Sequence, residues 1–344
     1  MKVSFKPYQL LFKHPFGVSG HLRTQTTSVF VKIEEDECIA YGEACLPEYL
    51  GETEKETIQF FKKAQAVLKS MDSHFQLEAI LKEIDGLDLK CNAAKAAIDI
   101  ALCDLYSKKA KQGFCEWKKI ESKKQMKTAF TIGIDSEEKI IQKINEAKDF
   151  DILKIKAGTP DDKALIRLIR QHSNKALFID VNQGWKDKQQ ALDMMTWLAD
   201  KNVLLVEQPL PKEQKEEMKW LTARSPIAIF ADESVKRLKD LEELDGAFSG
   251  INIKLMKSTG LVEAFKMIEF CKANQIKILL GCMAESSCAT AAMAQLMAYA
   301  DYLDLDAPQL YLNDPFDGPQ YKHGEIILSN LNGIGVKPNA LLNF

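Results

Sequence analysis

Charged residues close a series of short apolar segments in the second half of the sequence, and their types suit metal binding and proton transfer. In chain order these residues are Lys154, Lys156, Asp180, Glu207, Asp232, Lys254, Asp304 and Asp306. Three carboxylates brought together in a partly dry cavity would repel one another unless a cation held them. Ligands that are all oxygen favour a hard divalent ion such as Mg²⁺. Asp180, Glu207 and Asp232 therefore predict a metal site; alternatively, Asp180 and Asp232 each cap the helix that follows.

Lys154 and Lys156 stand two residues apart, and Leu153 and Ile155 alternate with them. In a strand, this spacing places both ammonium groups on one side and both apolar side chains on the other. A second ammonium about 4 Å away costs roughly 4 kcal/mol at an effective dielectric near 20, or about three pKa units. We therefore expect Lys154 to lower the pKa of Lys156 and make it a usable base. The alternative is an exposed edge strand that carries two solvated lysines.

The elements that would position these residues recur with a regular period. The predicted strands are 128–132, 152–156, 177–182, 203–207, 227–232, 250–255, 276–281 and 302–306. Their final polar residues are 22 to 28 residues apart, and a strand with its returning helix takes about that length. In a parallel barrel the carboxyl ends of the strands converge on one face. We therefore predict an α/β barrel whose mouth gathers the lysines and the carboxylates.

The first 125 residues lack this period and contain three strand patterns followed by helical spacing. We predict an α+β capping domain over 1–125 and a catalytic barrel over 126–309. The segment 310–344 is expected to complete the capping domain, through a strand near 325–328 that returns to it. A stretch of glycines and small polar residues at about 17–27 is predicted to form a flap over the mouth.

Composition narrows the classes of function. The 46 basic and 49 acidic residues are interspersed and give a net charge of -3, which argues against a nucleic-acid partner. No apolar run is long enough for a membrane span, and the N-terminal residues do not read as a signal sequence. Eight cysteines without a Cys-x-x-Cys pair indicate reduced thiols. We therefore expect a cytoplasmic protein without a membrane partner, and the sequence leaves a homo-oligomer open.

The order Lys-x-Lys, Asp, Glu, Asp, Lys on consecutive barrel strands resembles the muconate-lactonizing subgroup of the enolase superfamily, and the resemblance spans nearly the whole chain. It implies a modified TIM barrel of (β/α)7β type with one Mg²⁺ per subunit. In such sites a lysine removes the proton next to a substrate carboxylate and gives an enediolate. By resemblance, the metal ligands are Asp180, Glu207 and Asp232.

The same resemblance implies roles for other side chains. Lys156 and Lys254 match the acid/base pair, and Lys154 matches their electrostatic partner. Asn182 and Glu233 match positions that orient a metal ligand and Lys254 respectively.

The Asp304-x-Asp306 pair resembles the dipeptide epimerases of this subgroup, in which such a pair binds the α-ammonium group of the dipeptide. A lysine on each face of the substrate would invert the Cα of its C-terminal residue. Thr131, Cys282 and Met283 are expected to contact the peptide. The alternative for Asp304 and Asp306 is pairing with nearby lysines.

The flap carries His21 and Arg23. In Ala-Glu epimerases a flap arginine clamps the side-chain carboxylate, but Arg23 is offset from that position and His21 falls closer to it. The sequence therefore favours an Ala-X dipeptide with a small or apolar X, of Ala-Ala type, with an Ala-Glu epimerase of murein peptides as the competing prediction. A cycloisomerase or succinylbenzoate synthase-type lyase and a non-catalytic peptide-binding barrel are the further alternatives.

Overall fold

The computed structural model describes residues 1–18, 21–71, 74–120, 126–244 and 246–344. Its N-terminal part begins with an antiparallel sheet whose three strands are neighbours in chain order. These strands are β1 (Lys2–Val18), β2 (His21–Glu35) and β3 (Cys38–Cys45). The helices that follow are α1 (Glu54–Lys69), α2 (Leu77–Asp85), α3 (Asn92–Lys109) and α4 (Phe114–Trp117). The strands and helices of this part form an α+β cap, as the sequence predicts.

Helix α3 is buried around most of its circumference. One side packs so closely on β3 that a Cβ at Gly42 would lie 1.9 Å from the carbonyl oxygen of Ala97. The opposite side contacts helices of the barrel. Because α3 lies between two layers, small alanines on several faces allow close packing on both.

The second part is an eight-stranded parallel sheet. Its strands are β4 (Ala129–Ile132), β5 (Ile152–Lys156), β6 (Ala176–Asp180), β7 (Val203–Glu207), β8 (Ala228–Ala231), β9 (Gly250–Ile253), β10 (Lys277–Gly281) and β11 (Tyr302–Asp304). Its helices are α5 (Glu137–Glu146), α6 (Asp162–His172), α7 (Lys188–Leu198), α8 (Lys215–Thr222), α9 (Leu238–Leu241), α10 (Leu255–Ser258), α11 (Leu261–Ala273) and α12 (Ser287–Ala294).

The predicted barrel is confirmed. All eight predicted strands are present, and their ends differ from the prediction by at most two residues. Each of the first seven strands leads into at least one helix, while β11 leads into a short 3-10 turn, Ala307–Leu310. The strands are paired in chain order, and a bridge between Thr128 and Leu303 joins the two ends of the sheet into a nearly closed (β/α)7β barrel.

The direction of the strand side chains explains why the acids face inwards. Phe178, Leu205 and Phe230 belong to one buried cluster inside the barrel. They precede Asp180, Glu207 and Asp232 by two residues each. Since strand side chains alternate with a period of two, each carboxylate lies on the inner side, one step nearer the mouth.

The C-terminal segment adds short strands, β12 (Phe316–Asp317), β13 (Gln320–Lys322), β14 (Glu325–Ile327) and β15 (Lys337–Pro338). The ring of Phe316 packs against Phe30 and Tyr41 of the cap sheet, with centroids 5.3 and 5.4 Å away. The division of the chain near residue 125 and the assignment of 310–344 to the cap stay predictions.

The return of the strand near 325–328 to the capping domain stays a prediction, and the strand itself is present as β14. It pairs with β13, and Glu325 bridges to Lys127 just before β4. His323 and Gly324, which join the two strands, both have positive φ, 50° and 75°. Positive φ at both residues is what a tight type I′ hairpin turn requires, so the strand finds its partner locally.

None of the described helices combines the length and apolar character needed to cross a membrane. The eight cysteines are thiols and form no disulfide, in agreement with the expectation from the sequence.

A buried carboxylate holds the C-terminal segment on the cap. Asp104 of α3 accepts hydrogen bonds from the backbone N–H of Tyr41 (3.0 Å) and of Ile334 (2.9 Å), and pairs with Lys108 at 2.7 Å. Gly333 has a φ of 76°, and a Cβ there would lie 1.9 Å from Asp104 Oδ1. A side chain at Gly333 would therefore disturb this junction.

We predict that Gly333→Ala lowers the free energy of unfolding by about 2–4 kcal/mol, because it adds a collision with Asp104 to the cost of a left-handed backbone. Urea denaturation measures this loss. Gly246→Ala is the matched control: its φ is 75° and no described atom lies within 4 Å of the added Cβ. The control should lose only about 1 kcal/mol, and equal losses in the two variants would contradict the prediction.

Candidate active site

The carboxyl ends of the barrel strands open into a cavity of about 410 Å³. Barrel side chains form its floor, and Phe12 of β1, Arg23 of β2 and Tyr49 of the turn Glu48–Leu50 contribute from the cap. Both parts of the chain therefore build the site.

Asp180, Glu207 and Asp232 meet at this mouth. Their carboxylate oxygens can be chosen so that all three lie within 4.8 Å of one another, and each side chain is buried. Helices α7 and α9 begin eight and six residues after Asp180 and Asp232, so neither acid caps a helix. Three buried carboxylates within reach of one point are a donor set that fits Mg²⁺.

Two of these acids show opposite pKa shifts. Burial by itself would raise the pKa of Asp180, but the ammonium groups of Lys154 and Lys156 outweigh burial and lower the pKa to about 2. The pKa of Glu207 is raised, first by burial and then by the charge of Asp180. Burial and Asp180 thus disfavour the ionised form of Glu207, and a cation bound beside it would stabilise that form.

Lys154 is buried among three carboxylates. Its Nζ lies 3.0 Å from Asp180, 2.7 Å from Glu207 and 2.6 Å from Asp304. Burial alone would lower the pKa of Lys154, but the carboxylates outweigh it and raise the pKa. The sequence suggested a free ammonium acting on Lys156, whereas the structure balances the charge of Lys154 with these acids. The alternative of an ion pair for Asp304 is also present.

Lys156 and Lys254 approach the carboxylates from opposite sides. Lys156 is the last residue of β5, and its Nζ lies 2.6 Å from Asp180 Oδ2. Lys254 directly follows β9, and its Nζ lies 2.8 Å from Asp232 Oδ2. In the order of eight strands, β5 and β9 are four places apart, which is half of the circumference. Strand β5 lies between β4 and β6. Its two lysines, Lys154 and Lys156, are therefore not on an exposed edge strand.

Asn182 and Glu233 lie side by side near the metal ligands. The backbone N–H of Asn182 donates to Asp180 Oδ1 (3.1 Å), and its amide nitrogen donates to Glu233 Oε1 (3.3 Å). The pKa of Glu233 is raised to about 7, first by burial and then by the charge of Asp232. Asn182 is therefore placed to orient the carboxylate of Asp180, and its side chain holds Glu233. That Glu233 orients Lys254 stays a prediction.

Asp304 and Asp306 line the same cavity, and Asp304 shares the ammonium of Lys154 with Asp180 and Glu207. Asp306 accepts hydrogen bonds from the backbone N–H of Thr131 (2.6 Å) and from its hydroxyl (3.2 Å). Burial raises the pKa of Asp306 to about 7, with a further contribution from Asp304. A cationic ligand group would stabilise the ionised form of Asp306, which burial and the neighbouring carboxylate disfavour.

Cys282 and Met283 line the wall beside these acids. The thiol of Cys282 donates to the carbonyl oxygen of Asp304 (3.2 Å), and the hydroxyl of Tyr49 lies 2.5 Å from the sulfur of Met283. The side chain of His21 lies outside the described part of the chain, as do Ser19 and Gly20 of the predicted flap. Arg23 is described and lines the cavity.

Sequence reasoning missed several residues of the cavity wall. Lys212 and Lys236 come from the loops after β7 and β8 and bring two exposed cations to the rim. Lys257 lies buried beneath Asp232. Its spacing of three residues from Lys254 was a visible signal, but the predicted strand ended at residue 255 and left Lys257 without an assignment. Lys212 and Lys236 lie on loops, and the sequence did not indicate the course of these loops.

Residues 138–341 match the family described as enolase C-terminal domain-like. The L-Ala-D/L-Glu epimerase of Bacteroides thetaiotaomicron is 45% identical over 98% of this chain and 88% of its own length. The hydrophobic dipeptide epimerase of Enterococcus faecalis is 34% identical over 89% of this chain and 90% of its own length.

Solved structures agree with these relatives. A substrate-liganded complex of the L-Ala-D/L-Glu epimerase from Bacillus subtilis superposes with a TM-score of 0.91 at 27% identity, covering 98% of this chain and 99% of its own. The dipeptide epimerase from Enterococcus faecalis, complexed with Mg and L-Leu-L-Tyr, superposes with a TM-score of 0.90 at 31% identity. That match covers 97% of this chain and 98% of the other.

We predict that Asp180→Asn weakens Mg²⁺ binding by about ten-fold or more, because it removes one of three ligand charges. Isothermal titration calorimetry of the metal-free protein measures the dissociation constant without relying on activity. Asp99→Asn is the matched control, since Asp99 is also a buried aspartate but caps α11 through Leu261 and Val262. Equal Mg²⁺ affinities in Asp180→Asn and in the unchanged protein would contradict this assignment of the metal site.

Proposed function

Since the chain belongs to the enolase superfamily and is an epimerase of its dipeptide-epimerase group, we propose that it inverts the Cα of the C-terminal residue of an L-Ala-Glu dipeptide. The observation that carries this proposal is the placement of Lys156 and Lys254 on strands half a barrel apart, with the carboxylate triad between them. The eight cysteines are thiols outside any disulfide, which supports a cytoplasmic location.

The proposed reaction is a proton transfer that passes through one planar intermediate. One lysine, as a neutral amine, takes the proton from Cα, and the electron pair of the C–H bond moves into the adjacent carboxylate to give an enediolate. The opposite lysine, as an ammonium, donates a proton to the other face of Cα, and the configuration is inverted. A bound Mg²⁺ would share the charge of Asp180, Glu207 and Asp232 and would stabilise the negative charge that develops on the substrate carboxylate.

The residues of this chain orient the substrate between the two amines. Asp304 and Asp306 are proposed to bind the α-ammonium group of the alanine, which relieves the repulsion between two buried acids. Asp306 is already held by Thr131, so the acceptor is fixed before substrate arrives. Lys154 is proposed to act on the substrate carboxylate as a fixed positive charge. With both ends held, Cα is presented to Lys156 and Lys254 in one orientation.

The outer wall supports an acidic second residue. Arg23, Lys212 and Lys236 line it together with one carboxylate, Glu48, which leaves an excess of two positive charges near the rim. An exposed glutamate side chain of the substrate would meet these cations, and hydrogen bonds to charged groups favour binding. The sequence favoured a small or apolar second residue in the dipeptide. Such a side chain would instead contact Met283 and the other apolar groups of the wall. The number of cations leads us to propose the Ala-Glu preference.

We predict that the two catalytic lysines act on different isomers. The unchanged enzyme should exchange the Cα proton of both the L,L and the L,D dipeptide with deuterated water. Lys156→Ala should lose exchange from one isomer and Lys254→Ala from the other, each by about a hundred-fold or more. Nuclear magnetic resonance of the dipeptide in deuterated water follows both rates.

The control for this experiment is Lys95→Ala, which removes a buried lysine paired with Asp85 outside the cavity floor. It should keep exchange from both isomers. The proposed mechanism is ruled out if Lys156→Ala and Lys254→Ala both lose exchange from the same isomer. It is also ruled out if the unchanged enzyme exchanges no dipeptide.

We predict that L-Ala-L-Glu is preferred over L-Ala-L-Leu by about ten-fold or more in kcat/KM, since each hydrogen bond to a charged group contributes about 1.5–3 kcal/mol. Arg23→Ala and the double variant Lys212→Ala/Lys236→Ala should each reduce this ratio, chiefly through KM for the acidic dipeptide. Lys186→Ala is the control: its ammonium donates to the carbonyl oxygen of Gln183 close to the mouth. A preference for L-Ala-L-Leu in the unchanged enzyme would favour the apolar alternative.

A further inference from the structure

Lys257 is a buried lysine that the proposed reaction does not use. It lies on the short helix α10, and only about 5% of its surface is exposed. Its Nζ lies 2.5 Å from Asp232 Oδ1, 2.6 Å from the carbonyl oxygen of Asp232 and 3.2 Å from the carbonyl oxygen of Asn252. It therefore joins the carboxyl ends of β8 and β9.

These contacts occupy the whole donor capacity of the side chain. An ammonium group has three N–H donors and no acceptor, and three oxygens lie within hydrogen-bond distance of Lys257. Lys257 therefore has no free donor for a substrate and no free electron pair for a proton. Its role must be exerted through Asp232 rather than on the reacting atoms.

The two oxygens of Asp232 have different partners. Oδ1 is held by Lys257, whereas Oδ2 accepts from Lys254 at 2.8 Å. Rotation of the carboxylate would exchange these oxygens, but the backbone carbonyl contacts of Lys257 fix the ammonium in place. Lys257 thus sets the plane of the carboxylate and leaves Oδ2 to Lys254.

The cap anchors Lys257 from the other side. The amide nitrogen of Asn92, the first residue of α3, donates to the backbone carbonyl oxygen of Lys257 (3.0 Å). Helix α10 ends at Ser258, and the next residue, Thr259, has a φ of 64° that turns the chain towards α11. The backbone of Lys257 is thus held by α3, and its side chain is held by the strand ends.

We propose that Lys257 is a positioning residue, which fixes the carboxylate of Asp232 so that Oδ2 alone faces Lys254 and the other metal ligands. The proposal rests on the proposed function insofar as Asp232 ligates the metal and Lys254 exchanges the proton. Helix α3 would thereby act on Lys254 indirectly. Asn92 of α3 holds the backbone of Lys257, and the side chain of Lys257 holds Asp232, which accepts from Lys254.

The first test is the Mg²⁺ affinity of Lys257→Met, measured by calorimetry on the metal-free protein. Methionine keeps the bulk of the side chain but has no donors. Loss of a positive charge beside Asp232 would by itself tighten Mg²⁺ binding. If Lys257 positions Asp232, the variant binds Mg²⁺ about five-fold more weakly or worse, despite this charge effect. Unchanged or tighter binding overturns the proposal.

The second test separates positioning from general loss of structure. In Lys257→Met, deuterium exchange should fall about ten-fold or more for the isomer that Lys254→Ala loses, and less than about three-fold for the other isomer. Equal losses for both isomers overturn the proposal. In the background of Asp232→Asn, Lys257→Met should change the exchange of neither isomer by more than about two-fold, because its effect passes through Asp232.

Two further variants keep these tests decisive. Lys95→Met, which removes an equally buried lysine paired with Asp85 at 2.8 Å, controls for loss of a buried charge and should leave the Mg²⁺ affinity unchanged. If Lys257→Met fails to fold, Asn92→Ala removes the hydrogen bond to the backbone of Lys257 and should weaken exchange of the same isomer, to a smaller extent. Equal weakening of both isomers in Asn92→Ala overturns the proposal.

Failure of the proposal and failure of the proposed function give different results. If the unchanged enzyme exchanges no dipeptide but Lys257→Met binds Mg²⁺ more weakly, the proposed function is wrong and the positioning role of Lys257 stands. If the unchanged enzyme exchanges both isomers but Lys257→Met binds Mg²⁺ normally, the proposed function stands and the positioning role of Lys257 is wrong.

Discussion

The structure depends on balancing buried charges of opposite sign at one end of the barrel. A single ionised group in this interior would cost several kcal/mol, and a pair is tolerated only when other contacts satisfy its remaining donors and acceptors. Lys154 meets this condition with Asp180, Glu207 and Asp304. The acids in turn hold amines close to where a substrate carbon would lie. The same compensation that makes the charges tolerable therefore sets the geometry of the site.

The fold supplies this compensation from separate parts of the chain. Parallel strands bring residues more than a hundred positions apart to one layer, as with Lys154 and Asp304. The capping part adds further constraints, because buried Glu43 of β3 accepts hydrogen bonds from Ser286 and Ala289 at the start of α12. Cap and barrel thus share one packed core, and the wall of the cavity contributed by the cap is fixed with respect to the catalytic floor.

The side chains proposed to select the substrate lie in a different environment from those proposed to transfer its proton. The inner residues are buried, so their charges act strongly over short distances. Arg23, Lys212 and Lys236 stand nearer to solvent, where each contact contributes less and several must act together. Such residues on loops and flaps vary without disturbing the barrel. Relatives with similar barrels accordingly bear the names of epimerases for acidic and for hydrophobic dipeptides.

The sequence by itself determined the barrel, its strand ends and the acids and lysines of the floor, because a period of about 25 residues and the alternation within strands are local properties. It could not determine the environment of Lys154, since the three acids around it come from other strands. Nor could it give the partner strand of β14, or the role of Lys257, which depends on contacts with Asp232 and with the carbonyl oxygen of Asn252. Tertiary structure decided these points, because the partners of a buried charge are chosen by proximity in space and leave no periodic signal along the chain.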